Sequence, residues 1–331
     1  MKIGPLDLGE RPLLLAPMED VTDVSFRVLC REQGAAMVYT EFVNSDGLVR
    51  DVPKTIAKMH TLEEEAPVGI QIYGQHPDAM VDAARMAERA AELTGGHGAD
   101  LVDINFGCPV SKIAGRGAGS GMMREPDKMV AITKAVVEAV GKPVTVKTRL
   151  GWDDNSKIIV ELAERLQDVG IAALTIHGRT RCQLYKGEAD WTLIGAVKAN
   201  PRMHIPIIGN GDITDGPSAK QAFERYGVDG IMIGRATFGH PWIFREIRHY
   251  LDHGEPMPAL TVAEKAALAR RHLALSLQYK GEPRGIYEMR RHLSCYFKGL
   301  PDFKETRMRM VTTLDVAELN DILDTIEQRY D

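Results

Sequence analysis

Long apolar runs are missing from this sequence: no stretch approaches the roughly 18 residues that a membrane-spanning helix needs, and Met1-Lys2-Ile3-Gly4-Pro5 lacks the charged-then-apolar pattern of a secretory signal. The expected location is the cytoplasm, with no membrane contact. Cysteine is scarce, and Cys30, Cys108, Cys182 and Cys295 are spaced too irregularly for a disulfide framework or paired zinc ligands. Free thiols and no metal site are expected. No strong excess of charge exists either: the net charge is −5, which excludes a chain coated in positive charge. Also absent is a Gly-x-Gly-x-x-Gly after the first apolar run, where Ala16-Pro17-Met18 stands instead. That argues against an open dinucleotide-binding sheet.

What is present alternates. Eight short apolar runs read as strands, at Leu13–Ala16, Met37–Glu41, Val68–Tyr73, Leu101–Asn105, Val144–Thr148, Ala173–His177, Pro206–Gly209 and Gly230–Gly234. Between them lie helical patterns such as Asp78–Leu93, Pro126–Val140, Lys157–Val169 and Ser218–Tyr226. Strict alternation implies right-handed crossovers and a parallel sheet. Eight units close most naturally into an α/β TIM (β/α)8 barrel. Such a barrel takes about 250 residues, and past it the alternation gives way to helical patterns at Val262–Tyr279, Tyr287–Lys298 and Leu314–Gln328. We therefore expect a barrel over residues 1–254 and a smaller all-α domain over 255–331. Charge is uneven there: residues 261–310 carry eleven Lys/Arg against five Asp/Glu, and residues 311–331 one Arg against six acids. Arg270, Arg271, Arg284, Arg290, Arg291 and Lys298 suggest either a phosphate-binding face or a solvated helix surface.

A TIM barrel builds its active site from the carboxyl ends of its strands, and these ends are rich in chemistry. Gly209-Asn210-Gly211-Asp212 and Gly234-Arg235 suit a phosphate, although the glycines also suit plain tight turns. Lys147 places a positive charge, and Gln71 an amide, where an electron-accepting ring such as a flavin is tuned by cations and hydrogen bonds. Pro17-Met18 offers an apolar floor. Cys108, held between Gly107 and Pro109, reads as a reactive thiol, with a buried inert cysteine as the alternative. Cys30 and Cys295 fall in helical patterns and read as structural; Cys182 lies in a loop with no acid or base beside it.

Several long motifs occur together and in order. Leu15-Ala16-Pro17-Met18 with Val21-Thr22-Asp23 and Phe26-Arg27, then Asp103-Ile104-Asn105-Phe106-Gly107-Cys108-Pro109, resemble the tRNA-dihydrouridine synthases, most nearly the bacterial DusB subgroup. Val146-Lys147-Thr148-Arg149-Leu150-Gly151 and His177-Gly178-Arg179-Thr180-Arg181-x-Gln183-x-Tyr185 continue the resemblance, which spans roughly residues 13–300. The resemblance implies non-covalent FMN, NADPH as reductant and tRNA as partner, with no obligatory protein partner. It implies reduction of a uridine C5=C6 bond, hydride passing from the reduced flavin to C6 and a proton from Cys108 to C5. By the same resemblance Ala16, Pro17, Met18, Gln71, Lys147, His177, Asn210, Gly211, Asp212, Gly234 and Arg235 would hold FMN. Asn105, Arg179, Gln183 and Tyr185 would meet the target nucleotide. Glu19-Asp20 and Gly121-Met122-Met123 depart from the family pattern. Two other readings remain: an FMN-dependent small-molecule dehydrogenase of the dihydroorotate type, and a non-catalytic RNA-binding scaffold.

Overall fold

Eight short parallel strands of mostly aliphatic residues form the centre of the computed structural model, which describes residues 1–331. They are β1 (Leu13–Leu15), β2 (Val38–Tyr39), β3 (Val68–Tyr73), β4 (Leu101–Asn105), β5 (Val144–Arg149), β6 (Ala173–His177), β7 (Ile207–Asn210) and β8 (Gly230–Ile233). The hydrogen-bonded order is β1-β8-β7-β6-β5-β4-β3-β2. A parallel bridge between Leu14 and Met37 joins the two ends, with the Leu15 amide donating to the Met37 carbonyl at 3.0 Å. The sheet thus closes on itself, as expected, and no long edge is left to pair elsewhere.

The strands are buried on both faces, and most of their residues are apolar, with polar side chains on β3, β4 and β5 joined by hydrogen bonds. Ile3, Leu14, Met37, Tyr39, Leu101, Ala173, Ile208 and Met232 fill the inside of the barrel. A larger core lies between the sheet and the surrounding helices α1 (Val24–Glu32), α2 (Pro77–Glu88), α3 (Pro126–Ala139), α4 (Ile159–Asp168), α5 (Thr192–Ala199), α6 (Gly216–Tyr226) and α7 (Ile243–His253). Local chemistry sets where several begin. The Asp23 carboxylate caps α1 by accepting from the Phe26 amide, and Pro77 and Pro126 occupy the first positions of α2 and α3, where a missing N–H costs no helical bond.

The second unit departs from the pattern. In place of one crossover helix, the short helices Ser45–Leu48 and Pro53–Ala57 follow an extra strand, Val43–Asn44, that pairs with the end of β3. An N-terminal hairpin, Lys2–Ile3 with Leu6–Asp7, was not apparent in the sequence; it inserts Ile3 into the barrel interior.

The C-terminal helices are α8 (Val262–Lys280), α9 (Arg284–Tyr296), α10 (Lys304–Thr312) and α11 (Val316–Tyr330). They surround their own core, from Leu260 to Ile326, which Trp242 of the barrel also enters. Tyr296 and Phe297 are core residues of this module, and so are not free to stack on a ligand. The module docks on α1: the Phe26 ring lies 5.3 Å from His272 and 4.2 Å from His292, and Lys280 pairs with Asp23 as well as with Glu288. No helix is long and apolar enough to cross a membrane.

Candidate active site

The carboxyl ends of the strands surround a cavity of about 570 Å³, within the range of roughly 300–1,000 Å³ usual for cofactor and small-molecule sites. Ala16, Pro17 and Met18 line it from the end of β1, Asn105 and Cys108 from β4, Lys147 and Arg149 from β5, and His177 from β6. Asn210, Gly211 and Asp212 after β7, Gly234 and Arg235 after β8, and Tyr185 in the loop after β6 complete the set.

Cys108 is held by its neighbours and is not packed as a core side chain. The Asn105 side-chain oxygen accepts from the amides of both Gly107 and Cys108, at 2.9 and 2.8 Å. On the other side the Cys108 carbonyl accepts from the Ser120 amide at 3.1 Å and the Ser120 hydroxyl at 2.8 Å. Gly119 (φ +54°) and Gly121 make the buttress fit: a Cβ at Gly121 would lie 2.4 Å from the Ala114 carbonyl, which accounts for the glycine of the Gly121-Met122-Met123 departure. Burial pushes the Cys108 thiol up, against the pull of the Val110 amide and Arg149. The thiol is therefore protonated at neutral pH and is a proton donor.

Behind Asn105 runs a buried chain of hydrogen bonds. The Asn105 amide donates to Gln71 Oε1 at 2.8 Å, Gln71 Nε2 donates to Asp103 at 2.6 Å, and the Thr145 hydroxyl donates to the other Asp103 oxygen at 2.5 Å. Burial raises Asp103 to about 6. Gln71 lies within β3, beneath the cavity, where its amide links Asn105 to Asp103.

The cavity is positively charged at depth. Lys147 reaches across the barrel to donate to Asn210 Oδ1 at 3.1 Å, and burial, followed by repulsion from Arg149, lowers it to about 8. Asn210 in turn donates to the Met232 carbonyl at 2.8 Å. Arg149, which the sequence marks only as a strand-end cation, donates to the carbonyls of Gly107, Thr180 and Leu184 and so ties the Cys108 loop to the loop carrying Tyr185. Burial and the cations Arg149, Lys147, Arg179 and Arg235 push His177 well below its ordinary value, so its ring is neutral, and its buried Nδ1 has no partner in the protein. A buried ring nitrogen left unpaired costs about 1–3 kcal/mol, which fits a site completed by a ligand.

The turn after β7 is shaped by backbone constraints. Gly211 has φ +126° and Asp212 φ +55°, and a Cβ at Gly211 would meet that of Ala189 at 2.7 Å. Burial alone would raise Asp212, but the hydrogen bonds of Arg179 and the Ala189 amide, with the charges of Arg179 and Arg235, hold it below the usual carboxylate range. Both its oxygens are engaged, at 2.9 and 2.6 Å by Arg179 and at 3.2 Å by Arg235. Asp212 thus orients Arg235, whose guanidinium lies 4.8 Å from the Tyr185 ring.

Arg179 and Gln183 are engaged by neighbours in the loop after β6. Arg179 is buried behind Asp212 and also donates to the carbonyls of Lys186 and Gly187, while the Gln183 oxygen accepts from the Thr180 amide at 2.7 Å. Neither lines the cavity; both shape the loop that presents the half-exposed Tyr185. Conversely, Phe42, Val110, Phe238 and Arg291 do line it. Arg291 comes from α9, more than a hundred residues past Tyr185, and only the docking of the helical module brings it there.

The residues present fit a flavin mononucleotide: a cation beneath a strand-end cavity, an apolar lip at Pro17 and Met18, an unpaired ring nitrogen, and a turn with an arginine suited to phosphate. The fold and the sequence both have counterparts among known proteins. A "2-Naphthoyl-CoA Reductase" structure superposes with a TM-score of 0.54 at 12% identity, covering 77% of this chain and 52% of that one. An old yellow enzyme homologue from Zymomonas mobilis gives 0.52 at 13% identity, covering 78% and 93%. These likenesses bear on the fold alone. A "Probable tRNA-dihydrouridine synthase 1" of Synechocystis is 43% identical over 327 residues, which is 98% of this chain and 88% of that protein. A "tRNA-dihydrouridine synthase B" of Pseudomonas aeruginosa is 40% identical over 328 residues, 99% and 93%. Residues 14–330 match the family described as "Dihydrouridine synthase (Dus)", and with these relatives the match shows that the chain belongs to the dihydrouridine synthase family.

Proposed function

We propose that the protein reduces the C5=C6 bond of a uridine in tRNA, in the cytoplasm, with FMN as resident cofactor and NADPH as reductant. The observation that carries this reading is the protonated Cys108 thiol, fixed by Asn105 and Ser120 at the edge of a cavity whose floor is the Lys147 cation. Lys147, His177 and Asn210, with the apolar Ala16-Pro17-Met18 lip, would hold the flavin ring. The backbone of Gly211 and Gly234 with Arg235 would hold its phosphate, and Asp212 would keep Arg235 in place. The chemistry supplied by bound FMN, once reduced, is hydride delivery to C6 of the uracil. Cys108 Sγ gives its proton to C5, which completes the addition of one hydride and one proton, and the thiolate regains a proton from solvent. Asn105 would orient the uracil as well as the loop, and Tyr185, flanked by Arg149 and Arg235, would stack on the base or its neighbour.

Drawing a uridine out of its stack costs a few kcal/mol, so binding outside the cavity must offset it. We assign that part to residues 255–331, and catalysis to residues 1–254. The test uses the purified full-length protein with FMN, NADPH and tRNA from a strain lacking the gene, with dihydrouridine read by mass spectrometry. The expected result is dihydrouridine at a defined position in tRNA, and no comparable turnover of free uracil or dihydroorotate. Efficient turnover of a small pyrimidine without tRNA binding would establish the dehydrogenase reading instead. A colourless protein that cannot be loaded with FMN would leave only the scaffold reading.

A further inference from the structure

The eleven basic residues between 261 and 310 differ in whether a carboxylate holds them. Arg270, Arg271, Lys280, Arg284 and Arg309 are held in ion pairs with carboxylates, among them Asp324 and Glu327 of the acidic last helix. Lys265, Arg290, Arg291, Lys298, Lys304 and Arg307 have no such partner, and the last three meet at one place. A second cavity, of about 190 Å³, lies at the junction of α9 and α10, and these three cations line it over the rings of Phe297 and Phe303. No carboxylate lines it: Asp302 and Glu305, their neighbours in sequence, are outside it. Ser294 is at its edge, but its hydroxyl donates to the Arg291 carbonyl at 2.8 Å, which leaves recognition to the three cations.

The position of this cavity relative to the catalytic one matters more than its charge. Arg291 and Ser294 stand at i and i+3 on one face of α9, and Lys298 follows two residues past its last residue, Tyr296. Arg291 lines the catalytic cavity and Ser294 and Lys298 line the second. At 1.5 Å per residue Arg291 and Ser294 are about 4.5 Å apart along this face, so the two cavities are neighbours. No paired carboxylate interrupts it. A volume near 190 Å³ is below the roughly 300 Å³ at which small-molecule sites begin, and suits a phosphate group whose remainder lies outside.

We propose that the second cavity is a phosphate seat: Lys298, Lys304 and Arg307 hold a backbone phosphodiester of the RNA whose uridine enters the catalytic cavity. The proposal rests on the tRNA reading above and adds the place where the strand is anchored. Arg291 bridges the two sites, so the chain crosses it between the flipped base and the seated phosphate. The ligand is part of a polymer, and the seat sets how far the strand can move while the base is inserted.

The test is the full-length triple variant Lys298→Ala, Lys304→Ala, Arg307→Ala, with Arg309→Ala as a control that removes a paired cation from the same helix. All of these side chains are exposed, so thermal melting should be unchanged. The tRNA Kd of the triple variant should rise about tenfold or more, and the slope of log Kd against log salt should fall by about one contact. KM for tRNA should follow Kd, while kcat at saturating tRNA and KM for NADPH stay at wild-type values. Unchanged Kd and salt slope would overturn the proposal, as would a defect confined to KM for NADPH. Inorganic phosphate that binds the wild type but not the triple variant, without competing with tRNA, would also overturn it, by making the seat one for a free anion. A wild type that forms no dihydrouridine refutes the functional reading alone, because the tRNA-binding arms still decide the seat.

Discussion

At the barrel mouth, Lys147 and Arg149 are withdrawn from water, and their pKa values fall to about 8 and about 10. On α8, Arg270 and Arg271 stay near the surface and are raised by the carboxylates that face them. The first arrangement is costly to the empty protein and returns that free energy to an anionic ligand that enters. The second contributes little to binding anything, because its charges are already matched. Between the two stand the unmatched, solvated cations of α9 and α10, whose attraction for phosphate is screened by salt. The same residue types thus serve as a fixed electrostatic field, as structural ties and as a docking surface, according to how much water each retains.

The comparison would be broken most decisively at the thiol. Cys108→Ala should lower dihydrouridine formation by about 10²- to 10⁴-fold, the usual share of a general acid, while FMN and tRNA binding persist. Single-turnover oxidation of the reduced protein by tRNA reads this directly, and a rate within threefold of wild type would remove Cys108 from the chemistry.

Next in size is Lys147→Met, which should weaken FMN binding by about tenfold or more, as loss of a charged hydrogen-bond partner does, measured by fluorescence titration of the apoprotein. Its effect on stability has the opposite sign. Lys147 binds its proton less tightly folded, at about 8, than unfolded, where the ordinary value is 10.5. The unfolded state then holds more protons in that window, and apoprotein stability gains a contribution as pH rises from 8 to 10.5. Urea midpoints should show this rise in wild type and a smaller one in the variant.

A smaller effect is expected where the module docks. Burial lowers His272 to about 3 from an ordinary 6.5, and its neighbours are the Phe26 ring, His292 and the Tyr296 hydroxyl, which accompanies its Nδ1 at 3.1 Å. The nearest fixed charges, Lys280 and Arg291, are cationic as seen from His292. A histidine kept neutral by folding contributes stability that is complete above 6.5 and is lost as pH falls from there toward 3. Hydrogen exchange in α8 and α9 should therefore accelerate at pH 5 before the barrel strands respond. Simultaneous loosening of barrel and module would argue against this cluster as the acid-sensitive tie. Smallest of all, Arg271→Ala removes an exposed pair with Glu32 and should cost about 0.2–1 kcal/mol, less in high salt, by chemical denaturation.

Much of the barrel could be read from the sequence because both faces of its strands are buried, which turns each into a short apolar run between turn residues. The strand ends followed, and with them Cys108, Lys147, Asn210 and Arg235. The helix α10 could not be read this way: Met310 is its only buried residue, so no apolar stripe marks it. The hydrogen bonds that join Gln71 to Asn105 and Arg179 to Asp212 could not be read from the sequence, since adjacency to a strand end does not say which neighbours a side chain meets. Arg291 was legible as a charge and not as a wall of the cavity, because that depends on how α9 docks against a barrel formed far earlier in the chain.

The chain of hydrogen bonds behind Cys108 has a direction. Asp103 accepts from the nitrogen of Gln71 on one oxygen and from the Thr145 hydroxyl on the other, which leaves the oxygen of Gln71 to face Asn105. That leaves the nitrogen of Asn105 for Gln71 and its oxygen for the two amides of the thiol loop. Neither amide can turn over without setting donor against donor or acceptor against acceptor along the rest of the line. One carboxylate beneath the cavity therefore acts as a polarity key: it decides, two side chains away, which end of Asn105 grips the loop and how many of its hydrogens remain for a base that enters the cavity.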